Sequence, residues 1–68
     1  MNKYYIDVIT GDGGSQGRVD YIIEADGYQS FESGYYMFYK RSETNEYDLV
    51  TVATFPIART IITKIEKL

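Results

Sequence analysis

The carboxylates Asp20, Glu24 and Asp26 occur at even spacing in the stretch RVDYIIEAD, residues 18–26. Even spacing places side chains on one face of a strand, so we expect these three on an outer face, with Asp7 across from them. Paired carboxylates act as acid and base only where a pocket desolvates one of them, and a strand face offers no such pocket. The D-x-[DN]-x-[DN]-G pattern of a calcium loop is also missing. We interpret the group as a solvated acidic face, with binding to a basic partner surface as the alternative.

Nucleophilic catalysis has few candidate residues, because the chain contains no histidine and no cysteine. A serine would need activation by lysine or by an unusual carboxylate. The serines at positions 15, 30, 33 and 42 have no lysine placed to activate them. We therefore predict a protein that is not an enzyme and that binds no cofactor or metal.

The glycine-rich stretch GDGGSQG, residues 11–17, is superficially similar to a phosphate-binding loop. Such loops lie between a strand and a helix, whose N-terminal amide groups bind the anion. A strand pattern follows here, and no GK[ST] is present. The stretch is predicted to be a hairpin loop, and an anion site is the alternative.

The stretch SGYYMFYK, residues 33–40, concentrates four aromatic rings and a methionine in eight positions. In a strand, alternate side chains point to opposite faces, and only one face can join the core. Phe38 has the least polar ring, so we assign its face to the core. The predicted core residues are Tyr36, Phe38, Tyr21, Ile23, Leu49, Ala53 and Phe55. The opposite face exposes tyrosines and a methionine, a combination enriched at protein interfaces. The predicted partner-binding residues on that face are Tyr35, Met37 and Tyr39.

The elements that position these residues are predicted to be strands, because the dominant hydrophobic period is two. Gly27 permits a bend, residues 32–34 are predicted to form a tight turn, and residues 41–46 form a polar connection. Predicted strands cover residues 4–9, 18–26, 28–31, 35–40, 47–55 and 61–66. The fold class is therefore all-β: a small antiparallel sheet or partly open barrel of about five strands, in a single domain over residues 1–68.

The segment after Pro56 is ambiguous. Proline cannot donate to a sheet ladder, so the preceding strand must stop there or lie on an edge. Isoleucines recur at positions 57, 61 and 65, as on a helix face, but β-branched residues crowd positions 60–63 and disfavour a helix. We predict one helical turn over residues 56–60 before the last strand, and a C-terminal helix is the alternative.

The ending TFPIARTIITKIEK, residues 54–67, resembles the closing part of SH3-like and Sm-like small barrels, in which a strand meets a brief helical turn and a last strand. The tail F-P-x(3)-T-x-I-x(2)-I, from Phe55 to Ile65, is also similar to that of short acidic β proteins carried by phages and mobile elements. The first resemblance implies the barrel layout. The second implies an accessory protein that inhibits a host protein.

Composition limits the function classes. A domain of 68 residues buries only about 60% of the surface of its unfolded chain, and it is marginal without disulfides or metals. We therefore expect an oligomer, with a homodimer first. The net charge of −3 works against nonspecific attraction to nucleic acid or anionic membranes. The N-terminal stretch lacks the apolar core of a signal peptide, so we expect a cytoplasmic protein.

These observations favour a non-catalytic β module that binds another protein and associates with itself. The partner would be a second copy of the chain or a host protein with a basic surface. The alternative is a small barrel that stacks nucleic-acid bases on its aromatic residues. Against it, only Lys40 and Arg41 adjoin the aromatic stretch, and the other basic residues are scattered along the chain.

Overall fold

The computed structural model of the chain describes residues 1–11, 16–45 and 47–68. It contains two three-stranded antiparallel sheets, which we name sheet I, with strand order β2-β1-β6, and sheet II, with order β3-β4-β5. The strands are β1 (Asn2–Thr10), β2 (Gly17–Ala25), β3 (Gly27–Phe31), β4 (Tyr35–Arg41), β5 (Leu49–Pro56) and β6 (Thr60–Lys67), and a 3-10 turn (Ile57–Arg59) precedes β6.

The predicted all-β fold, with one short helical turn before the last strand, is confirmed. The described part has six strands, one for each predicted range and one more than the predicted count of about five, and the sheets do not close into a barrel. The alternative of a C-terminal helix is wrong, because residues 60–67 form a strand paired with β1. The β-branched residues therefore decide the structure of this segment over the four-residue isoleucine spacing.

The strands β1 and β2 pair over their whole length, from Asn2 opposite Ala25 to Thr10 opposite Gly17. A strand rather than a helix follows the glycine-rich stretch. The predicted hairpin loop and its alternative, the anion site, fall mainly on residues 12–15, which lie outside the described residues.

A corner at Asp26 joins the two sheets. Its backbone N–H donates to the carbonyl of Tyr39 at 2.8 Å, and its carboxylate accepts a hydrogen bond from the backbone N–H of Arg41 at 2.7 Å. The carboxylate also lies 3.8 Å from the N-terminal amine of Met1. The bend at this corner separates Asp26 from Asp20, so the expectation that both lie on one strand face is wrong.

The buried core lies between the sheets and centres on Phe38. Its ring makes edge-to-face contacts with the rings of Tyr4 and Phe55, at centroid distances of 5.1 and 5.8 Å. The buried apolar residues are Tyr4, Ile6, Ala25, Phe38 and Phe55. Half-buried residues packed against this cluster include Ile23, Tyr36 and Ala53. The predicted inward direction of Phe38 is therefore confirmed.

Two predicted core residues are more exposed than expected. The Tyr21 ring contacts the Phe55 ring at a centroid distance of 5.2 Å, yet Tyr21 remains 42% exposed. Leu49, with 45% exposure, is not a core residue. It lies opposite Arg41 on the outward side of sheet II, because a β-bulge in β5 shifts the register between Phe38 and Tyr39. The bulge changes which side chains of β5 face inward, and sequence alternation alone does not reveal it.

The molecule is elongated. Its radius of gyration is 13.3 Å, whereas a compact domain of this length has about 11 Å. The sheets therefore cover each other over only part of their lengths, which leaves some inward-facing side chains half exposed. Among the described residues, the structure has no helix with the length and apolar character that crossing a bilayer requires.

Candidate protein-binding surface

The outer face of sheet II points away from the core. Strand register assigns to it the side chains of Gln29, Phe31, Tyr35, Met37, Tyr39, Arg41, Leu49, Thr51, Thr54 and Pro56. Within the described strands, Arg41 is the one charged residue on this face, and it lies at the end of β4. The face is therefore a largely uncharged surface three strands wide.

Side chains on this face support one another across the strands. The ring of Phe31 lies 5.9 Å from that of Tyr35, centroid to centroid, and the hydroxyl of Thr51 donates to the sulfur of Met37 at 3.4 Å. The ring of Tyr39 lies over Gly27 on β3, and glycine has no side chain that would block this position. Met37 and Tyr39 are half-buried as a result, and Tyr35 is 43% exposed. The three predicted partner-binding residues lie in one row along β4.

An open cleft of about 500 Å³ lies at one end of this face. Its walls are Ser33, Gly34, Tyr35, Thr54, Phe55 and Pro56. Gly34 shapes the β3–β4 turn with a positive φ of 100°, a conformation that glycine adopts without strain. Its carbonyl accepts a hydrogen bond from the N–H of Ile57 at 2.9 Å, which fixes the turn to the segment after β5. The cleft has the size to receive an apolar side chain from a partner.

The outer face of sheet I is chemically different. It carries the charged residues Lys3, Asp7, Arg18, Asp20, Glu24, Lys64 and Glu66. The Nζ atoms of Lys3 and Lys64 lie 5.6 and 5.4 Å from the ring centroid of Tyr5, within cation–π range. Lys64 also pairs with Glu66 at 2.8 Å; this contact raises the pKa of Lys64 and lowers the pKa of Glu66.

Asp7 and Asp20 lie directly opposite each other on β1 and β2. The pKa of Asp7 is raised chiefly by a hydrogen bond with Asp20, because two carboxyl groups can share a hydrogen bond only when one of them is protonated. Desolvation and the negative charge of Asp20 raise the pKa of Asp7 further. Arg18, whose guanidinium lies 3.4 Å from the Asp7 carboxylate, opposes this shift. The pair lies on a strand face, and among the described residues no group of three potential ligands is placed to hold a metal ion.

The predicted acidic face is therefore only partly correct. Asp20 and Glu24 share the outer face of sheet I, but Lys3 lies opposite Glu24 and Arg18 pairs with Asp7. Asp26 lies at the corner, where its carboxylate contacts backbone groups. The face carries mixed charge because β1 and β6 bring lysines beside the carboxylates of β2.

Basic residues are dispersed in the structure. Arg59 donates to the carbonyls of Ile9 and Gly11, at 3.4 and 2.6 Å, and so fastens the 3-10 turn to the end of β1. Lys40 and Arg41 lie at the far end of β4, whereas Lys64 lies on sheet I. The described basic side chains form no continuous stripe along the aromatic face.

The sequence reasoning missed Phe31, Leu49 and Pro56, which extend the row of Tyr35, Met37 and Tyr39 sideways across sheet II. Their place follows from cross-strand register, which puts Phe31 and Pro56 on either side of Tyr35.

Comparison of the chain with protein-family models, curated proteins and solved structures gives no match.

Proposed function

We propose that the protein is a non-catalytic binding module that docks on another protein through the outer face of sheet II. The observation that supports this proposal is the contrast between the two outer faces. Sheet I presents charged residues from all three of its strands, whereas the described outer face of sheet II has only Arg41, at its end. Depletion of charge, with aromatic residues and methionine enriched, is typical of the centre of a protein interface.

The chemistry of the face suits docking. Tyrosine offers a large contact area for the loss of few rotatable bonds, and its hydroxyl can bond to a partner. Met37 has a flexible side chain that can fit different shapes. Because these residues lie on paired strands, the surface is already ordered before binding, which lowers the entropic cost of association.

The proposed partner on this face is a host protein, and we propose in addition that the chain associates with a second copy of itself. The resemblance of the tail to accessory proteins of phages and mobile elements supports inhibition of the host protein as the specific form. Contact between a basic partner and Asp20 or Glu24 has less support, because Lys3 and Arg18 stand beside them. We propose the cytoplasm as the compartment, and the absence of cysteine is compatible with it.

The proposal is tested by capture of proteins from a lysate of the native cell on immobilised wild type and two variants. Met37→Lys places a charge at the centre of the face, and Ile61→Lys places the same charge on the outer face of sheet I. A protein identified by mass spectrometry that binds wild type and Ile61→Lys, but not Met37→Lys, is the expected result.

Far-ultraviolet circular dichroism shows whether the variants keep their strands, and Tyr35→Lys replaces Met37→Lys if the latter unfolds. Equal capture by folded face variants and wild type would overturn the assignment of this face. Proteins that are captured by wild type and Met37→Lys, but not by Ile61→Lys, would instead assign the binding surface to sheet I.

A further inference from the structure

Each sheet in the described structure has two edge strands, and these four strands differ in charge. Edge strands present unpaired backbone groups, and charged side chains commonly prevent them from pairing with other chains. The strands β2 and β6 contain charged residues, and β3 is only five residues long. In contrast, β5 has eight residues, LVTVATFP, and none of them is charged. Its edge is the least protected of the four.

The space beside β5 is bordered by apolar side chains of sheet I. Val19 and Tyr21 point to the core side of β2, yet they are 40% and 42% exposed. The ring of Tyr21 already contacts Phe55 of β5. A strand added to the free edge of β5 would continue sheet II beneath β2 and cover these side chains, which provides a hydrophobic gain besides the backbone hydrogen bonds.

We propose that β5 pairs in antiparallel orientation with β5 of a second copy, related by a twofold axis between Val52 and Ala53. The proposal rests on self-association within the proposed function and assigns the contact between copies to this edge. In this register Thr51 lies opposite Thr54 of the second copy, and Val50 lies opposite Phe55 of the second copy. The remaining pairs are Leu49 with Pro56 and Val52 with Ala53.

This register satisfies the constraints of the sheet. Residues paired across strands must point to the same face. Regular alternation would put Thr51 and Thr54 on opposite faces, but the bulge between them puts both on the outer face, and Val50 and Phe55 both on the inner face. Both new pairs therefore match because of the bulge. Threonine–threonine pairs and pairs of aromatic with β-branched residues are favourable across strands. Pro56, which lacks an N–H, falls at the end of the ladder, where it is tolerated.

A second copy is the occupant because β5 contains no charge. Self-pairing opposes no like charges in any register, although each chain carries a net charge of −3. The product is a continuous six-stranded sheet, a common width. The two outer faces of sheet II then lie side by side and remain open, so the dimer presents a doubled surface to the other protein.

The register is tested with single-cysteine variants, which the absence of native cysteine makes unambiguous. Thr51→Cys and Thr54→Cys are purified separately and mixed, and the mixture is exposed to mild oxidation. Only the mixture places a cysteine of one copy opposite a cysteine of the other, so a disulfide-linked dimer is expected there and not from either variant alone. Equal crosslinking by one variant alone would overturn the register.

A second measurement tests the edge independently of the register. Wild type is expected to be a dimer in sedimentation equilibrium at ~100 μM, well above the Kd of a dimer of ordinary affinity. Val50→Lys, which changes the inner side of β5, is expected to be a monomer at the same concentration. Met37→Lys and Ile61→Lys are expected to remain dimeric. A dimer abolished by Met37→Lys but kept by Val50→Lys would overturn the edge contact and leave self-association, now through the outer face, in place.

A wild type that is monomeric at this concentration would overturn both the edge contact and the self-association within the proposed function. Docking of a host protein on the outer face would be unaffected, since its test is the capture experiment with Met37→Lys.

Hydrogen exchange gives a further test of the edge contact. Amide protons of β5 are expected to exchange more slowly in the dimer than in Val50→Lys, and amide protons of β2 that face solvent are expected to be unchanged.

Discussion

Tyr39 on β4 lies across Gly27 on β3 so closely that a Cβ atom at residue 27 would be 2.5 Å from the tyrosine hydroxyl oxygen. The two residues are directly paired in the ladder. Glycine inside a strand normally lowers stability, because it has more freedom to lose and no side chain to pack. Here the ring of the opposite tyrosine fills the space that the missing side chain leaves.

This contact predicts that the effect of Gly27→Ala depends on Tyr39. In wild type the added methyl group must displace the ring, which should lower the free energy of unfolding by about 1 kcal/mol or more, the lower range for overpacking. In a Tyr39→Ala background the space is free, and Gly27→Ala should instead raise the free energy of unfolding by roughly 0.5–1 kcal/mol. Urea denaturation of the four proteins measures both. The same sign in both backgrounds would contradict the contact.

Phe38→Ala is predicted to destabilise the fold severely. The ring is fully buried and contacts Tyr4 and Phe55, and removal of such a ring costs about 3–5 kcal/mol. That is close to the whole stability expected for a small domain. Thermal melting monitored by circular dichroism measures this loss of stability. Tyr47→Ala is the control, because Tyr47 is 86% exposed. A melting curve like that of wild type would mean that Phe38 does not anchor the core.

Asp20→Asn is predicted to stabilise the protein at neutral pH. In wild type two carboxylates face each other across β1 and β2, and like charges in that position repel. The asparagine removes one charge, and its amide can still donate to Asp7. We expect the melting temperature to rise by a few degrees at pH 7. Glu24→Gln is the matched control on the same strand face, and it should give no rise, because Glu24 lies opposite Lys3.

The advantage of Asp20→Asn is predicted to vanish in acid. Because the folded-state pKa of Asp7 is raised above its ordinary value of 3.8, the folded protein binds more protons than the unfolded chain between the two values. The stabilising contribution of protonated Asp7 is complete below 3.8 and is lost as pH rises through the folded-state pKa. Melting temperatures measured from acid to neutral pH should therefore converge at the acid end. A constant difference would rule out the coupling.

Binding to oligonucleotides is predicted to be no tighter than nonspecific, with a Kd of about 1–100 μM or weaker at physiological salt. The described basic residues are dispersed, and on sheet I they alternate with carboxylates. Fluorescence anisotropy with single-stranded and double-stranded probes measures it. A submicromolar affinity that weakens steeply with added salt would instead support the nucleic-acid alternative.

The strands, the turn at residues 32–34 and the closing strand β6 are predictable because each is fixed by local rules: alternation, glycine and proline placement, and crowding of β-branched residues. The inward direction of Phe38 follows from the same alternation. The row of Tyr35, Met37 and Tyr39 on the opposite face is therefore also visible in the sequence.

Features that depend on distant pairing are not predictable in this way. The position of Leu49 follows from a bulge in β5, and a bulge is a property of two strands together. Lys64 joins the face of Asp20 and Glu24 because β6, more than thirty residues downstream, pairs beside β1. The changed environment of Asp26 has the same origin, since its carboxylate contacts the backbone of Arg41.

The central strand of sheet I is β1, and β6, one of its two neighbours, is the last strand of the described part of the chain. The hydroxyl of Thr63 donates to the carbonyl of Tyr5 across a sequence separation of 58 residues. Bringing such distant segments together costs entropy before any contact compensates it, so folding should be slow for the chain's size, on the order of milliseconds to seconds. During synthesis, one edge of β1 remains unpaired until β6 emerges, and the nascent chain can complete sheet I only then.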